Sequence, residues 1–231
     1  MENTIQFDIL VADDRHTKYA QTICDEMEAS AKARGTGIAK RSPDYIVQKM
    51  HEGKAVIALS KKGEWAGFCY IETWEHGNYV ANSGLIVSPN FRKSGLARDI
   101  KKKVFELSRK KYPKSKIFGL TTGLAVMKIN SDLGYKPVTY SELTQDEEFW
   151  KGCQSCVNFE ILKSKDRKNC MCTAMLYDPN DKSNEKPEQS PAAEFKKNSK
   201  LYERFLKIKQ AIMLKSNKML ASIIEVNLKT K

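Results

Sequence analysis

The chain has 231 residues, 41 % of them hydrophobic, which suits one domain of ordinary size with a tail or two small ones. No apolar run approaches the roughly 18–20 residues that span a bilayer, and the N-terminus lacks a basic stretch followed by an apolar one, so no membrane span or signal peptide and a cytoplasmic location are expected. The net charge of +12 is uneven, with eleven Lys/Arg against two Asp/Glu in residues 92–116 and twelve against six in 181–231, a pattern that serves nucleic acid, a phosphorylated ligand or a solvated helix face.

Residues 5–11 alternate as a first strand. Tyr19, Ile23, Met27 and Ala31 recur at a spacing of four, which predicts an amphipathic helix over 14–34, broken by Gly35-Thr36-Gly37. Ser42-Pro43-Asp44 reads as an N-cap with proline at the first helical position, and that helix runs to about His51. Three strands follow, Ala55–Ser60, Trp65–Thr73 and Tyr79–Val87, joined by polar turns as an antiparallel meander. A helix from Leu96 to about Lys111, a strand at 117–122, a short helix from Ala125 to Leu133 and a strand at 136–140 complete the core. The order implies an α/β fold with a mixed sheet and a parallel crossover through residues 96–111.

Beyond that lie a cysteine-containing extension (141–177) with a strand near 174–177, a polar proline-broken linker (178–193) and a basic tail with helical apolar spacing (194–231). The expected division is therefore a domain of residues 1–177, a linker and a helical tail. The tail's stripe reads as a packing or homodimer helix rather than a nucleic-acid arm, because it lacks interleaved aromatics beyond Tyr202 and Phe205.

The segment Arg92-Lys93-Ser94-Gly95-Leu96-Ala97 follows a strand and opens a helix. A helix start leaves N–H groups unpaired and carries partial positive charge, so with Gly95 admitting close backbone approach and Ala97 permitting tight packing it forms an anion cradle. This segment, with Leu133-Gly134-Tyr135 downstream, resembles the coenzyme-binding signature of the GNAT superfamily of acyl-CoA N-acyltransferases, and the resemblance covers roughly residues 5–140. It implies a mostly antiparallel central sheet flanked by helices, with acetyl-CoA or another acyl-CoA as donor. The backbone amides of Lys93 to Ala97 then take the pyrophosphate, Leu85, Ile86 and Val87 pair with the pantetheine arm like an added strand, and Arg92, Lys93 and Arg98 lie near the phosphates.

Acyl transfer needs a proton sink, an oxyanion donor and a proton for the leaving thiolate. The first candidate for the sink is Glu72, followed by Glu75 and a water relay. The oxyanion donor is a main-chain N–H near Ile86 or Val87. The family often carries an acidic tyrosine three residues before the Leu-Gly-Phe signature; here that position is Asn130, which is counted with the coenzyme-binding residues. Tyr135, Tyr140, Thr121 or water then stand as alternative acids, with Tyr135 the first named.

The acceptor side of the family lies between the first two helices, where Arg34, Lys40 and Arg41 suit a carboxylate and hence a small anionic amine. Residues 30–180 also resemble the stand-alone acetyltransferases that accompany arginine-biosynthesis genes in Bacteroidetes-type bacteria, which implies acetylation or succinylation of the α-amine of glutamate. The alternatives are acylation of a protein or RNA amine, docked through the cysteine segment and basic tail, or a non-enzymatic binding module. Cys24 and Cys69 read as small core residues. Cys153, Cys156, Cys170 and Cys172 form two close pairs that fit structural zinc, packed reduced thiols or a redox pair.

Overall fold

The structure, a computed structural model, describes residues 6–35 and 40–181. The glycine-rich segment 36–39 and the predicted tail helix lie outside the described residues, as does most of the linker.

The elements are β1 (Phe7–Val11), α1 (Ala20–Arg34), α2 (Pro43–His51), β2 (Ala55–Ser60), β3 (Trp65–Trp74), β4 (Tyr79–Val87), α3 (Leu96–Lys111), β5 (Lys116–Thr121), α4 (Leu124–Asp132), β6 (Lys136–Val138), α5 (Glu147–Lys151), α6 (Phe159–Ser164) and β7 (Thr173–Tyr177). They form a seven-stranded sheet in the order β1-β2-β3-β4-β5-β7-β6. All pairings are antiparallel except β4 with β5, which α3 joins as a crossover.

Local chemistry accounts for most boundaries. Ser42 caps α2 by accepting from the Tyr45 N–H, with proline next in line. The helix predicted to start at residue 14 starts instead at Ala20, because Asp13 and His16 form a capping box that holds residues 14–19 as a 3-10 turn. The strand predicted over 136–140 stops at Val138, because Thr139 and Glu142 form a second capping box.

The sheet has different companions on its two faces. Ile23 and Met27 of α1 and Ile46 and Met50 of α2 pack on Ile57, Phe68, Tyr70 and Ile86. Leu96, Ile100 and Val104 of α3 pack on Val56, Cys69, Ile71 and Val80 from the other side. The extension buries Tyr140, Leu143, Trp150 and Leu162 against Ala81, Phe118, Ala174 and Leu176.

Two irregularities in β4 open the centre of the sheet. One extra residue enters β4 between the pairs Phe68–Ile86 and Tyr70–Ser83, a β-bulge at Gly84, whose φ is +65°. A Cβ there would sit 2.3 Å from the Tyr70 ring, so only glycine fits. On its other edge β4 pairs with β5 only at Tyr79–Lys116, Val80–Ile117 and Ala81–Phe118, after which the two strands part.

Candidate active site

The parting of β4 and β5 opens a cleft of about 360 Å³ through the sheet. Asn82, Ser83, Gly84 and Leu85 line one wall and residues 118–123 the other. Because side chains alternate along a strand, Ser83, paired with Tyr70, faces α1 and α2, whereas Asn82, paired with Ile71, faces α3. Arg41 and Tyr70 border the cleft on the first face, and Lys101 and Asn130 on the second. The extension contributes Phe149, Asn158 and Cys172.

On the α1/α2 face the cleft is backed by a fully paired carboxylate. Glu72, 6 % exposed, accepts from Arg41 Nη2 (3.1 Å) and Ser83 Oγ (2.9 Å), and also from the Tyr45 hydroxyl. Arg41 Nε donates to the Tyr70 hydroxyl at 3.0 Å. Burial and the neighbouring Glu72 charge push the Tyr45 and Tyr70 phenols up, so both stay protonated as donors. Glu72 does not itself border the cleft; Ser83 and Arg41 do, and stand between it and a bound substrate. Arg41 uses three of its five N–H groups, on Tyr70, Glu72 and the Lys40 carbonyl, so donors remain for a ligand.

Arg41 also borders a second cavity of about 490 Å³ lined by α1, by Gly35, Lys40 and Pro43, and by Ser155 and Val157 of the extension. Lys40 borders it too but pairs with Glu28 at 3.2 Å on the surface. The Arg34 backbone ends α1, and its side chain lies outside what is described. Glu75 is tied elsewhere, accepting from Thr144 Oγ1 and the Gln145 N–H, both at 2.7 Å, which anchors the extension rather than facing the cleft.

The α3/α4 face carries a polar cluster of which sequence reasoning named Tyr135 and Asn130 but missed Lys101, Asn82 and Ser108. Lys101 is 2 % exposed, and its Nζ donates to Asn82 Oδ1 at 3.3 Å and stands 5.2 Å from the centre of the Tyr135 ring. Tyr135 donates its hydroxyl to the same Asn82 oxygen at 3.0 Å, and Asn82 Nδ2 donates to Ser108 Oγ at 2.8 Å. Burial pushes the Lys101 ammonium down to about 8. Tyr135, whose phenol burial drives far up, is not among the residues bordering the cleft. Asn130, 1 % exposed, reaches Met175 Sδ with Nδ2 at 3.7 Å, while its buried Oδ1 has no partner. The signal in the sequence was faint: Lys101 lies next to Ile100 and three residues before Val104, on the buried arc of α3, inside a run of lysines that otherwise reads as solvated.

At the turn between β4 and α3, Lys93 (φ +64°) and Gly95 (φ +86°) bend the chain into the helix, and no side chain caps its start. Alternating positive and negative φ turns successive N–H groups toward one point, a nest for an anion. A Cβ on Gly95 would meet nothing within 4 Å, so the space over it is open. Ser94 Oγ turns back to the Phe91 carbonyl, and Ala97 is half-buried beside the buried Leu96. Arg92 is engaged: Nη2 donates to Glu26 Oε1 (2.7 Å) and Ser30 Oγ (2.8 Å), and Nε to the Val87 carbonyl, which ties the turn to α1. Arg98 pairs with Asp132 at 3.3 Å. Leu85, Ile86 and Val87 run along the parted edge of β4.

Residues 24–125, from α1 through this turn to the start of α4, match the acetyltransferase (GNAT) family. That segment carries the signature of a GNAT acetyltransferase domain. No curated protein matches the sequence. Among solved structures, N-acetylglutamate synthase from Neisseria gonorrhoeae, bound to coenzyme A and N-acetyl-glutamate, aligns with a TM-score of 0.53 at 14 % identity over 76 % of this chain. The alignment spans only 35 % of that enzyme. Rv2747 from Mycobacterium tuberculosis, with CoA, aligns at 0.53 and 14 % identity over 74 % of this chain and 98 % of its own. Diaminobutyrate acetyltransferase from Paenibacillus lautus, with diaminobutyric acid and coenzyme A, aligns at 0.50 and 7 % over 76 % and 96 %. At these identities the likeness is one of fold.

The zinc site expected at Cys153, Cys156, Cys170 and Cys172 is corrected by the geometry. Among the described residues no group of three or more Cys, His, Asp or Glu side chains is arranged to hold a metal ion. Cys156 Sγ accepts from the Asn158 N–H at 3.4 Å, and Cys170 Sγ contacts the Asn158 carbonyl at 3.9 Å. Burial, with neighbouring sulfurs, pushes the Cys153 thiol up to about 11 and that of Cys172 to about 12. These are packed thiols around Tyr140, Phe159 and Leu162, and Cys24 and Cys69 are likewise free, with Cys69 fully buried. The extension is a wall of the cleft rather than an appendage.

Among the described residues no helix is long and apolar enough to cross a membrane.

Proposed function

We propose that the enzyme moves an acetyl group, or the related succinyl group, from its CoA thioester to the amine of a small anionic acceptor, with the α-amine of glutamate in arginine biosynthesis the leading candidate. The observation that carries this reading is Arg41, which borders both the cleft and the second cavity and keeps N–H donors beyond those spent on Glu72 and Tyr70. A guanidinium so placed holds a carboxylate in a two-pronged grip and orients the adjacent amine.

The donor's pyrophosphate would rest on the amides of Lys93 to Ala97. Its arm would lie along Leu85 to Val87, where the β4 edge has lost its partner. The thioester would then reach the narrow end of the cleft between Ser83 and Gly119. There the attacking amine loses a proton to Ser83 Oγ, whose own proton passes to Glu72 Oε2, 2.9 Å away. Acylation of a protein or RNA amine remains the second reading. The cysteine segment that was its docking element is packed against the sheet, and that favours the small acceptor.

The test is acceptor-dependent CoA release by the purified protein with glutamate, aspartate, ornithine and a neutral amine, against acetyl-CoA and succinyl-CoA. Glutamate turnover should exceed that of the neutral amine, and Arg41→Met should raise the glutamate KM roughly 10-fold or more, the loss of a charged hydrogen bond. Turnover with no acidic amino acid rejects the assignment.

A further inference from the structure

We propose that Lys101 is the proton donor to the departing sulfur of coenzyme A. The inference rests on the acyl-transfer reading of the cleft, and it concerns a residue on the side of the sheet opposite Glu72.

The cleft passes through the sheet, so its two faces are available for opposite tasks. Attack comes from the α1/α2 face, where Arg41, Ser83 and Glu72 lie. The leaving group then faces the α3/α4 side, where Lys101 and Asn130 border the cleft. Asn130 stands where an acidic tyrosine was expected, and an amide cannot give up a proton at neutral pH. Tyr135 keeps its proton on Asn82 Oδ1 and does not reach the cleft. Tyr140 donates to the Cys172 carbonyl at 2.8 Å. Thr121 borders the cleft, but a hydroxyl that holds its proton as tightly as water is a poor acid for a thiolate.

Lys101 has what the others lack. An isolated buried ammonium is costly unless it is paired or sheds its proton. This one has a single hydrogen bond, to Asn82, and a ring face, and no carboxylate among the described residues pairs with it. The ionisable groups facing it are Cys69 from β3 and Tyr135 ahead of β6; Arg41 borders the cleft on the other face. Burial pushes the Cys69 thiol up to about 11 and the Tyr135 phenol further, so both stay neutral while Lys101 titrates near 8. That is close to the ideal for an acid working at neutral pH.

The step balances. When the tetrahedral intermediate collapses, the C–S bond breaks and its electron pair goes to sulfur. Sulfur takes a proton from the Lys101 ammonium, giving the free thiol and a neutral amine. The unpartnered Asn130 Oδ1 is placed to accept from the new S–H. Lys101 regains a proton from solvent through the open cleft, and the proton lost by the acceptor leaves by Ser83 and Glu72.

The experiment compares the wild-type protein with Lys101→Met and Lys101→Arg on acetyl-CoA and on acetyl seleno-coenzyme A, whose selenolate departs without a proton. Lys101→Met should lower kcat with acetyl-CoA roughly 100- to 1,000-fold, with the KM for donor within about 3-fold. With the selenium donor the loss should shrink to a few-fold, which also shows that the variant is folded. Lys101→Arg should resemble Lys101→Met, because guanidinium does not release its proton at this pH. The wild-type kcat should fall as pH rises through about 8, and that limb should vanish in the variants. An equal loss with both donors, or an unchanged limb, overturns the assignment. A wild-type enzyme that releases coenzyme from neither donor overturns the acyl-transfer reading itself.

Discussion

The two faces of the cleft each bury a basic side chain, and they treat it in opposite ways. Arg41 meets Glu72 at 3.1 Å, with Tyr45, Tyr70 and Ser83 completing the set. Lys101, on the far side of the same two strands, meets only an amide oxygen and an aromatic ring. A matched charge is held in one place and one protonation state, which suits recognition of an acceptor. An unmatched one sits near the pH at which it changes state, which suits proton transfer. The contrast shows how segments packed on opposite faces of one sheet bring both a fixed cation and a labile one to the same cleft.

Removing the carboxylate breaks the matched side most severely. Glu72→Ala strands a mostly buried guanidinium and should cost about 3–5 kcal/mol of stability, with turnover lost. Adding Arg41→Met should recover much of the stability and none of the turnover. Denaturant melts beside activity assays read both effects.

The unmatched side should respond with the opposite sign. Near pH 7 Lys101→Met should raise stability by about 1–3 kcal/mol, since the native state holds this proton less tightly than the unfolded chain. Between about pH 8 and the usual lysine value of about 10.4 the unfolded chain binds the extra proton, so wild-type stability gains from rising pH. The variant loses that slope, and melts at pH 7 and pH 9.5 measure it. A variant less stable than wild type at pH 7 would mean that the lysine is better satisfied than its two contacts suggest.

The smallest effect concerns the turn into α3. Gly95→Ala meets no neighbour, so its cost is that of a left-handed residue, about 1 kcal/mol. The added methyl stands over the nest and should weaken coenzyme A binding several-fold in calorimetry.

The frame of the fold was legible because its punctuation is local. Ser42-Pro43 starts α2, β2 and β4 have their predicted bounds, and α3 runs from Leu96 to Lys111 as its glycine and basic last turn suggest. The turn at Arg92 to Ala97 pointed to the right family, although Arg92 itself is committed to Glu26 and Ser30. What escaped depends on convergence in space. Helices α5 and α6 are five and six residues long, too short for a periodic pattern. Cysteine spacing suggested a metal cage, but whether four sulfurs point at one centre depends on a 3-10 turn at 152–155 and the approach to β7. Glu72 was picked out, but its partner Arg41 lies 31 residues away and Ser83 on the next strand. Lys101 hid in a basic run because the inward turn of one lysine is set by the sheet beneath it.

The three-pair seam between β4 and β5 gives the sheet two edges in its interior. Past Ala81 and Phe118, each strand is bonded to its outer neighbour and presents a bare row of amides and carbonyls inward. Exposed edges invite strand addition from any extended chain. Here they face each other across the cleft, where one extended polar arm can pair with them. Amide hydrogen exchange should therefore be fast without coenzyme and slow with it at those amides of residues 82–87 that face the cleft, while the amides of the same strand bonded to β3 stay protected throughout.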